Sequence, residues 1–377
     1  MSGPPERRLT QRRIRAVYMR GGTSRCLCFH AEDLPAPGPE RDTILLAALG
    51  SPDPYGRQLD GLGGGISSLS KACIVGPPSR SEADVDYTFA QVEVRRPAVD
   101  YAGNCGNCSS SIGPFAVDEK LVAVTGDPTL VRIHNTNTRK IIVAHVPVED
   151  GEAAVRGDFE LPGVAGRGAA IRLDFLDPGG AATGRLLPTG APREVIGGVE
   201  ASLVDATNPM VFVRAADLGL EGTETPEAID ADRALGARLE ALRVEAAGRM
   251  GIAGSAAVPK IAVVAPPRAF RGLDGRDHGA GEVDVVARVI SMGNCHRAFA
   301  LTAAMCLGVA ARIPGTVVHE CVGSSPAAVA GDIRLGHPSG RLPIDAVVTA
   351  RGGAPWAERV TVYRTARRLM EGFVRVP

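Results

Sequence analysis

Net charge is the first thing this chain lacks. Its 42 Lys and Arg residues balance 42 Asp and Glu, so the formal charge is zero. A neutral chain presents no global field to a polyanion, which argues against a nucleic-acid binder. Aromatic residues are only 4% of the 377, leaving few platforms on which bases could stack. No run of about 18 apolar residues is present, so no helix is expected to cross a membrane. The basic stretch holding Arg7, Arg8, Arg12, Arg13 and Arg15 has no apolar segment of the secretory kind. Residues 1–13 read as a frayed tail, with a transit peptide as the alternative. The eight cysteines are scattered rather than spaced as a disulfide framework, which suggests reduced thiols and a cytoplasmic protein. Several familiar motifs are missing too. Gly61-Leu62-Gly63-Gly64-Gly65 lacks the glycine placement of a dinucleotide loop, and Lys71 is followed by Ala72 rather than the Ser or Thr of a Walker loop. No His-Glu-x-x-His helix and no Gly-x-Ser-x-Gly elbow occurs.

Lysine is scarce among the basic residues. Only Lys71, Lys120, Lys140 and Lys260 occur among the 42 basic residues. Arginine stays protonated, whereas a desolvated lysine can surrender its proton and act as a base. A lysine kept in an arginine-preferring chain is therefore a candidate for chemistry.

What is present is globular. Apolar residues make up 45% and charged residues 22%, enough to bury a core. The 46 glycines and 28 prolines imply many turns and short strands. Residues 14–29 read as strand, tight turn and strand, and 41–50 as a short helix closed by Gly50. Strands are expected over 85–95, 120–125, 130–134, 139–148 and 260–265. Thr225, Pro226 and Gly251 bracket a helix over 225–250. Residues 296–313 read as a helix, uncharged from Ala298 through Ala311, apolar all round there and hence expected to be buried. A shorter one begins near Cys105 and is stopped by Gly113-Pro114. Gly-Asn-Cys occurs at 103–105, 106–108 and 293–295. The repetition suggests two similar strand-rich halves, each wrapped around a central helix.

Cys105 invites three readings. With Cys108 it matches Cys-x-x-Cys, so a redox pair or, with Cys26 and Cys28, a zinc site is one alternative. A plain buried cysteine is another. The third is an acid/base thiol at a helix start, where free backbone N–H groups and the helix dipole favour a thiolate and also hold a substrate carboxylate. Ser67-Ser68-Leu69-Ser70-Lys71, Arg20-Gly21-Gly22-Thr23-Ser24, Ser291-Met292-Gly293 and His337-Pro338-Ser339-Gly340 are further candidate anion cradles. Four such loops suggest a small substrate with several carboxylates.

The segments Met19–Ser24, Ser51–Gly56, Asp60–Lys71, Gly103–Asn107 with Gly113–Ala116, Leu187–Gly190, Ser291–Gly293 with His296, Ile313–Gly315 and Gly336–Gly340 resemble the PrpF family. The likeness runs from about residue 14 to about 345. It implies an α+β protein with the diaminopimelate epimerase-like fold, in which two pseudo-symmetric domains, each a β-barrel-like sheet around a central helix, enclose the active site. The expected division is 1–188 and 189–377. The resemblance implies an isomerase of unsaturated di- or tricarboxylates, of the 2-methylaconitate, aconitate, methylitaconate or 4-oxalomesaconate type. Lys71 and Cys105 match the family's catalytic pair. Thr23, Ser24, Ser67, Asn104, Gly106, Asn107, Ser291, Met292, Gly293, Ser339 and Gly340 match its substrate loops. The family's Thr-Ser-Lys-Gly is Thr23-Ser24-Arg25-Cys26 here, and Cys295 stands where an apolar residue is usual.

The expected chemistry removes a proton from carbon beside a conjugated carboxylate, with Lys71 as base and Cys105 as second acid/base or anion support. No metal and no organic cofactor is expected. The partner is a small unsaturated carboxylate, with neither nucleic acid nor membrane, and a homodimer is left open. A thiol redox or zinc module and a non-catalytic carboxylate binder are the competing classes.

Overall fold

The computed structural model describes residues 11–377 apart from 256–257, 292 and 329. The longer elements are β1 (Arg12–Gly21), β2 (Ser24–His30), α1 (Pro39–Leu49), β3 (Lys71–Gly76), β4 (Val85–Val92), α2 (Gly106–Asp118), β5 (Thr129–Asn135), β6 (Lys140–Val146) and β7 (Ile171–Leu176). There follow β8 (Val199–Ala206), β9 (Asn208–Arg214), α3 (Pro226–Ala231), α4 (Arg233–Arg249), β10 (Lys260–Ala265), β11 (Val285–Ser291), α5 (Leu301–Ala311) and α6 (Val317–Val322). The chain ends in β12 (Ile333–His337), β13 (Gly340–Arg351), β14 (Ala354–Arg364) and β15 (Ala366–Val376).

The strand pairing repeats. From β1 to β7 successive neighbours pair antiparallel, parallel, antiparallel, parallel, antiparallel and antiparallel. From β8 to β14 the same six relations recur in the same order. Side chains repeat as well. Asp84 receives the backbone N–H and the guanidinium of Arg132, and Asp284 receives the same two groups from Arg334. Lys71-Ala-Cys-Ile-Val-Gly-Pro-Pro78 opens β3, and Lys260-Ile-Ala-Val-Val-Ala-Pro-Pro267 opens β10. The sheets join where β7 pairs with β14.

Helix α5 is buried at every position, and α2 is buried along almost its whole length. Small side chains let strands approach that closely. A Cβ added to Gly113 would lie 2.6 Å from Val146, and one added to Gly308 would lie 2.5 Å from Ile344. The two amino ends meet, since a Cβ on Gly106 would reach Leu301 of α5 at 3.0 Å.

Several expectations are corrected. Helix α2 runs on through Pro114 to Asp118, because the proline forfeits one bond in a helix already held on all sides. Residues 120–125 form no strand; the chain turns back there, with Leu121 N–H donating to Ala116 O. Residues 225–250 hold two helices, because Asp232 leaves helical geometry and caps the second through Leu235 N–H. Helix α5 begins at Leu301, not at 296. Gly293-Asn294-Cys295 lies in a short hairpin, so the tripeptide does not mark the duplication that the pairing order displays. Arg12 and Arg13 belong to β1 rather than to a tail; residues 1–10 fall outside the described region. Residues 366–376, expected in the second half, pair with β1 along its length in the first.

Candidate active site

Cys105 is the N-cap of α2, with extended backbone at φ −108° and ψ 101°. Its sulfur accepts the Cys108 N–H at 3.5 Å and lies 4.0 Å from Ser24 Oγ. A hydrogen bond from the Cys108 thiol pulls the Cys105 thiol down to about 5, helped by the charge of Lys71 and opposed by burial. Cys105 is thus a thiolate at neutral pH. Lys71 is the first residue of β3 and only 7% exposed. Its Nζ donates to Gln91 Oε1 at 2.5 Å and stands 5.0 Å from the centre of the Phe89 ring.

Asn107 binds the loops together. Its Oδ1 accepts Thr23 N–H at 3.4 Å, its Nδ2 donates to Thr23 Oγ1 at 3.1 Å, and Arg364 Nε donates to the same Oδ1 at 3.1 Å. Gly21 and Gly22 make the approach of β1 to α2 feasible. A Cβ on Gly21 would lie 2.5 Å from the Asn107 carbonyl oxygen, and Gly22, at φ +51°, faces the Asn107 amide. Asn104 Oδ1 receives Ser109 Oγ at 3.3 Å, holding the bend before Cys105. Thr23, Ser24, Asn104, Gly106 and Asn107 therefore gather around Cys105.

The second half contributes from the facing side. Ser339 N–H donates to His337 Nδ1 at 3.2 Å and Ser339 Oγ to Arg297 O at 2.6 Å. Gly340, at φ +125°, packs near Pro162. His337 lines a small cleft with Thr23, Pro162, Phe299 and Arg364. Burial keeps His337 neutral, down to about 3, and the charges of Arg364 and Arg288 act in the same direction. Lys260 is drawn down to about 8 by burial and by the charge of Lys71. His296 is lowered by burial and feels both lysines. A roomier cavity lined by Arg214, Val264, Pro266, Arg268 and Glu320 contains none of the expected site residues.

Ser67, Ser291 and Gly293 make no hydrogen bond to Lys71 or Cys105 among the described residues, although Ser67 shares Gln91 with Lys71. Ser67 is exposed on the turn before β3, where its carbonyl accepts Gln91 Nε2 at 3.2 Å. Ser291 and Gly293 lie in the hairpin that leads back to His296. Met292 falls outside those residues. Arg25 is on the opposite face of β2 from Ser24 and Cys26, 5.5 Å from the Tyr18 ring, so that departure from the family pattern does not touch Cys105. Burial pushes the Cys295 thiol up to about 12, and its backbone N–H is spent on Asp230.

Of the four cysteines of the zinc reading, Cys26, Cys28 and Cys108 group with Cys73, and Cys105 reaches that group only through the Cys108 thiol. The sulfurs of Cys26, Cys28 and Cys73 lie within 4.8 Å of one another, fully buried, behind α2. Cys105 instead faces Ser24 and the cleft residue Arg364.

Sequence reasoning missed Gln91 and Arg364, neither of which sits in a recognisable loop motif; His337 was named only as part of the His337–Gly340 loop. Lys260 was within reach, since the lysine count singles it out and its strand repeats the pattern that follows Lys71.

The family model described as PrpF protein matches residues 11–377. The chain belongs to the PrpF family. This PrpF protein is 41% identical to the 2-methyl-aconitate isomerase of Shewanella oneidensis, over 97% of this chain and 98% of that one. It is 43% identical to the 3-methylitaconate isomerase of Eubacterium barkeri, again over 97% and 98%. The crystal structure of a methylitaconate-delta-isomerase superposes with a TM-score of 0.85 at 42% identity, covering 98% of this chain and 96% of the other. A hydroxyproline epimerase at 12% identity and a TM-score of 0.52 shares the epimerase-like fold. No helix among the described residues is long and apolar enough to cross a membrane.

Proposed function

We propose that this PrpF protein isomerises unsaturated di- or tricarboxylates by moving a proton, giving either cis–trans exchange or an allylic shift of the double bond. The observation that carries the reading is the Cys105 thiol, held near 5 at the start of α2 beside Lys71. The substrate proton lies on carbon conjugated through the double bond to a carboxylate. Cys105 removes it, leaving a dienolate. The free N–H groups at the start of α2 and the Lys71 ammonium stabilise the developing negative charge. Lys71 then delivers a proton to the same carbon after rotation, or to the far end of the allyl system. Proton exchange with solvent returns the sulfur and nitrogen to their starting states. Sequence reasoning favoured Lys71 as the base; the resting charges favour Cys105 in that role and Lys71 as the acid.

This reading needs no metal and no organic cofactor, and turnover is expected to survive exhaustive chelation. The free cysteines suit a reducing compartment, and we place the enzyme in the cytoplasm. The test is proton NMR in deuterium oxide on aconitate, 2-methylaconitate, methylitaconate and 4-oxalomesaconate. Deuterium should enter at least one acid with the parent protein and none with Cys105→Ala. Absence of uptake into every acid would leave only a carboxylate-binding protein.

A further inference from the structure

Arg364, the last residue of β14, is only 4% exposed. Its Nε is spent on Asn107 and its Nη1 on the Tyr363 carbonyl at 2.8 Å. A guanidinium carries five N–H donors, so three remain. Nη2 makes no hydrogen bond among the described residues, yet it is not sealed off as Arg312 Nη1 is. The group lines the cleft with Thr23, Phe299 and His337. Among the described residues Arg364 has no carboxylate partner, whereas Arg132 and Arg334 each have one. The one charge that faces this buried guanidinium is the Cys105 thiol, and its planar fork keeps the geometry suited to two oxygens of one carboxylate.

Two other anion holders already face the chemistry: the amino end of α2 and Lys71, which also has no carboxylate partner among the described residues. Arg364 adds a third, tied to the Asn107 side chain. We propose that Arg364 holds a carboxylate additional to those held by Lys71 and the amino end of α2, and that the cleft is built for a tricarboxylate in preference to a dicarboxylate. The proposal rests on the carboxylate-isomerase reading. It separates substrates that family membership does not, since 2-methylaconitate has three carboxylates and methylitaconate has two.

The test uses titration calorimetry on the intact protein with propane-1,2,3-tricarboxylate and propane-1,3-dicarboxylate, neither of which has a double bond to move. The parent should bind the tricarboxylate at least about tenfold more tightly. Arg364→Gln should bring the ratio below about threefold, and Arg364→Lys should keep part of it. Equal affinity in the parent would overturn the proposal. So would an unchanged ratio in a folded Gln variant, which would reduce Arg364 to a support for Asn107. If neither variant folds by circular dichroism, the parent's own ratio decides. Deuterium uptake measured in parallel separates the two ideas. Uptake into dicarboxylates without a tricarboxylate preference removes the proposal and keeps the isomerase. A tricarboxylate preference without uptake into any acid removes the isomerase reading.

Discussion

Lys71 and Lys260 occupy equivalent places in the two halves. Each opens a strand that pairs parallel with the strand on one side and antiparallel with the strand on the other. Lys260 is also held at about 8, partly by the charge of Lys71. It therefore loses its charge as pH rises through 8, and with it an attraction for a polyanionic substrate. KM should climb above pH 8 while kcat changes less. Lys260→Met should raise KM by about tenfold at pH 7 and flatten that climb. A parent-like pH profile in the variant would assign the effect to another group.

Cys105 and Cys108 should behave differently. Cys105→Ala removes the thiolate and should cost on the order of 10²-fold or more in kcat. Cys108→Ser keeps a donor toward Cys105 and should stay within a few-fold of the parent. Cys108→Ala removes the donor that contributes most to the low value at Cys105. Parent activity should fall as pH drops through about 5, where the thiolate is protonated, and this limb should move upward in Cys108→Ala. Equal losses in Cys105→Ala and Cys108→Ser would favour a paired-thiol function.

Lys71→Arg should retain the positive charge and lose nearly all turnover, because arginine does not release its proton. Iodoacetamide labelling of Cys105 separates charge from proton transfer. The labelling profile should keep its midpoint near 5 in Lys71→Arg and shift upward in Lys71→Met, since Lys71 charge is one of the causes of the low value. Near-parent turnover in Lys71→Arg would make Lys71 an anchor only.

Gly21→Ala places a methyl 2.5 Å from the Asn107 carbonyl, at the crossing of β1 and α2. Neither element is free to retreat, so overpacking should cost about 1–3 kcal/mol of stability. Displacing Asn107 by about 1 Å should also cost on the order of 10²-fold in kcat/KM. Denaturant titration and steady-state rates measure both. Parent-like values for both would show that the crossing has room.

The segments legible in the sequence were those governed by local rules. The β1–β2 hairpin, α1 with Gly50 in left-handed geometry, and β10 followed by Pro266 follow from alternation, capping and proline. Cys105 and Lys71 stood out through glycine-rich context and lysine scarcity. Arg364 did not, because nothing next to it in sequence marks it; it reaches Asn107 across 257 positions of chain. The same distance hid the partner of β1. Residues 366–376 alternate like any exposed strand, and only the unsatisfied edge of β1 selects them. Asp232 was missed for a different reason, since a cap inside a helix-rich window resembles one more surface carboxylate.

Because β1 waits for β15, the first half cannot close while the second is still being made. At about 5–20 residues per second, the edge of Arg12–Gly21 stays without its final neighbour for roughly 20–70 s of synthesis. The interval favours unwanted pairing between nascent chains on one polysome, because an open strand edge is a template for any other. Closure of the first half thus waits for residues 366–376, and the turn at Gly21-Gly22, pinned by Thr365, is completed only with it. The close approach of Gly21 to Asn107, and with it the loop in front of Cys105, is therefore fixed only once residues 366–376 have been made.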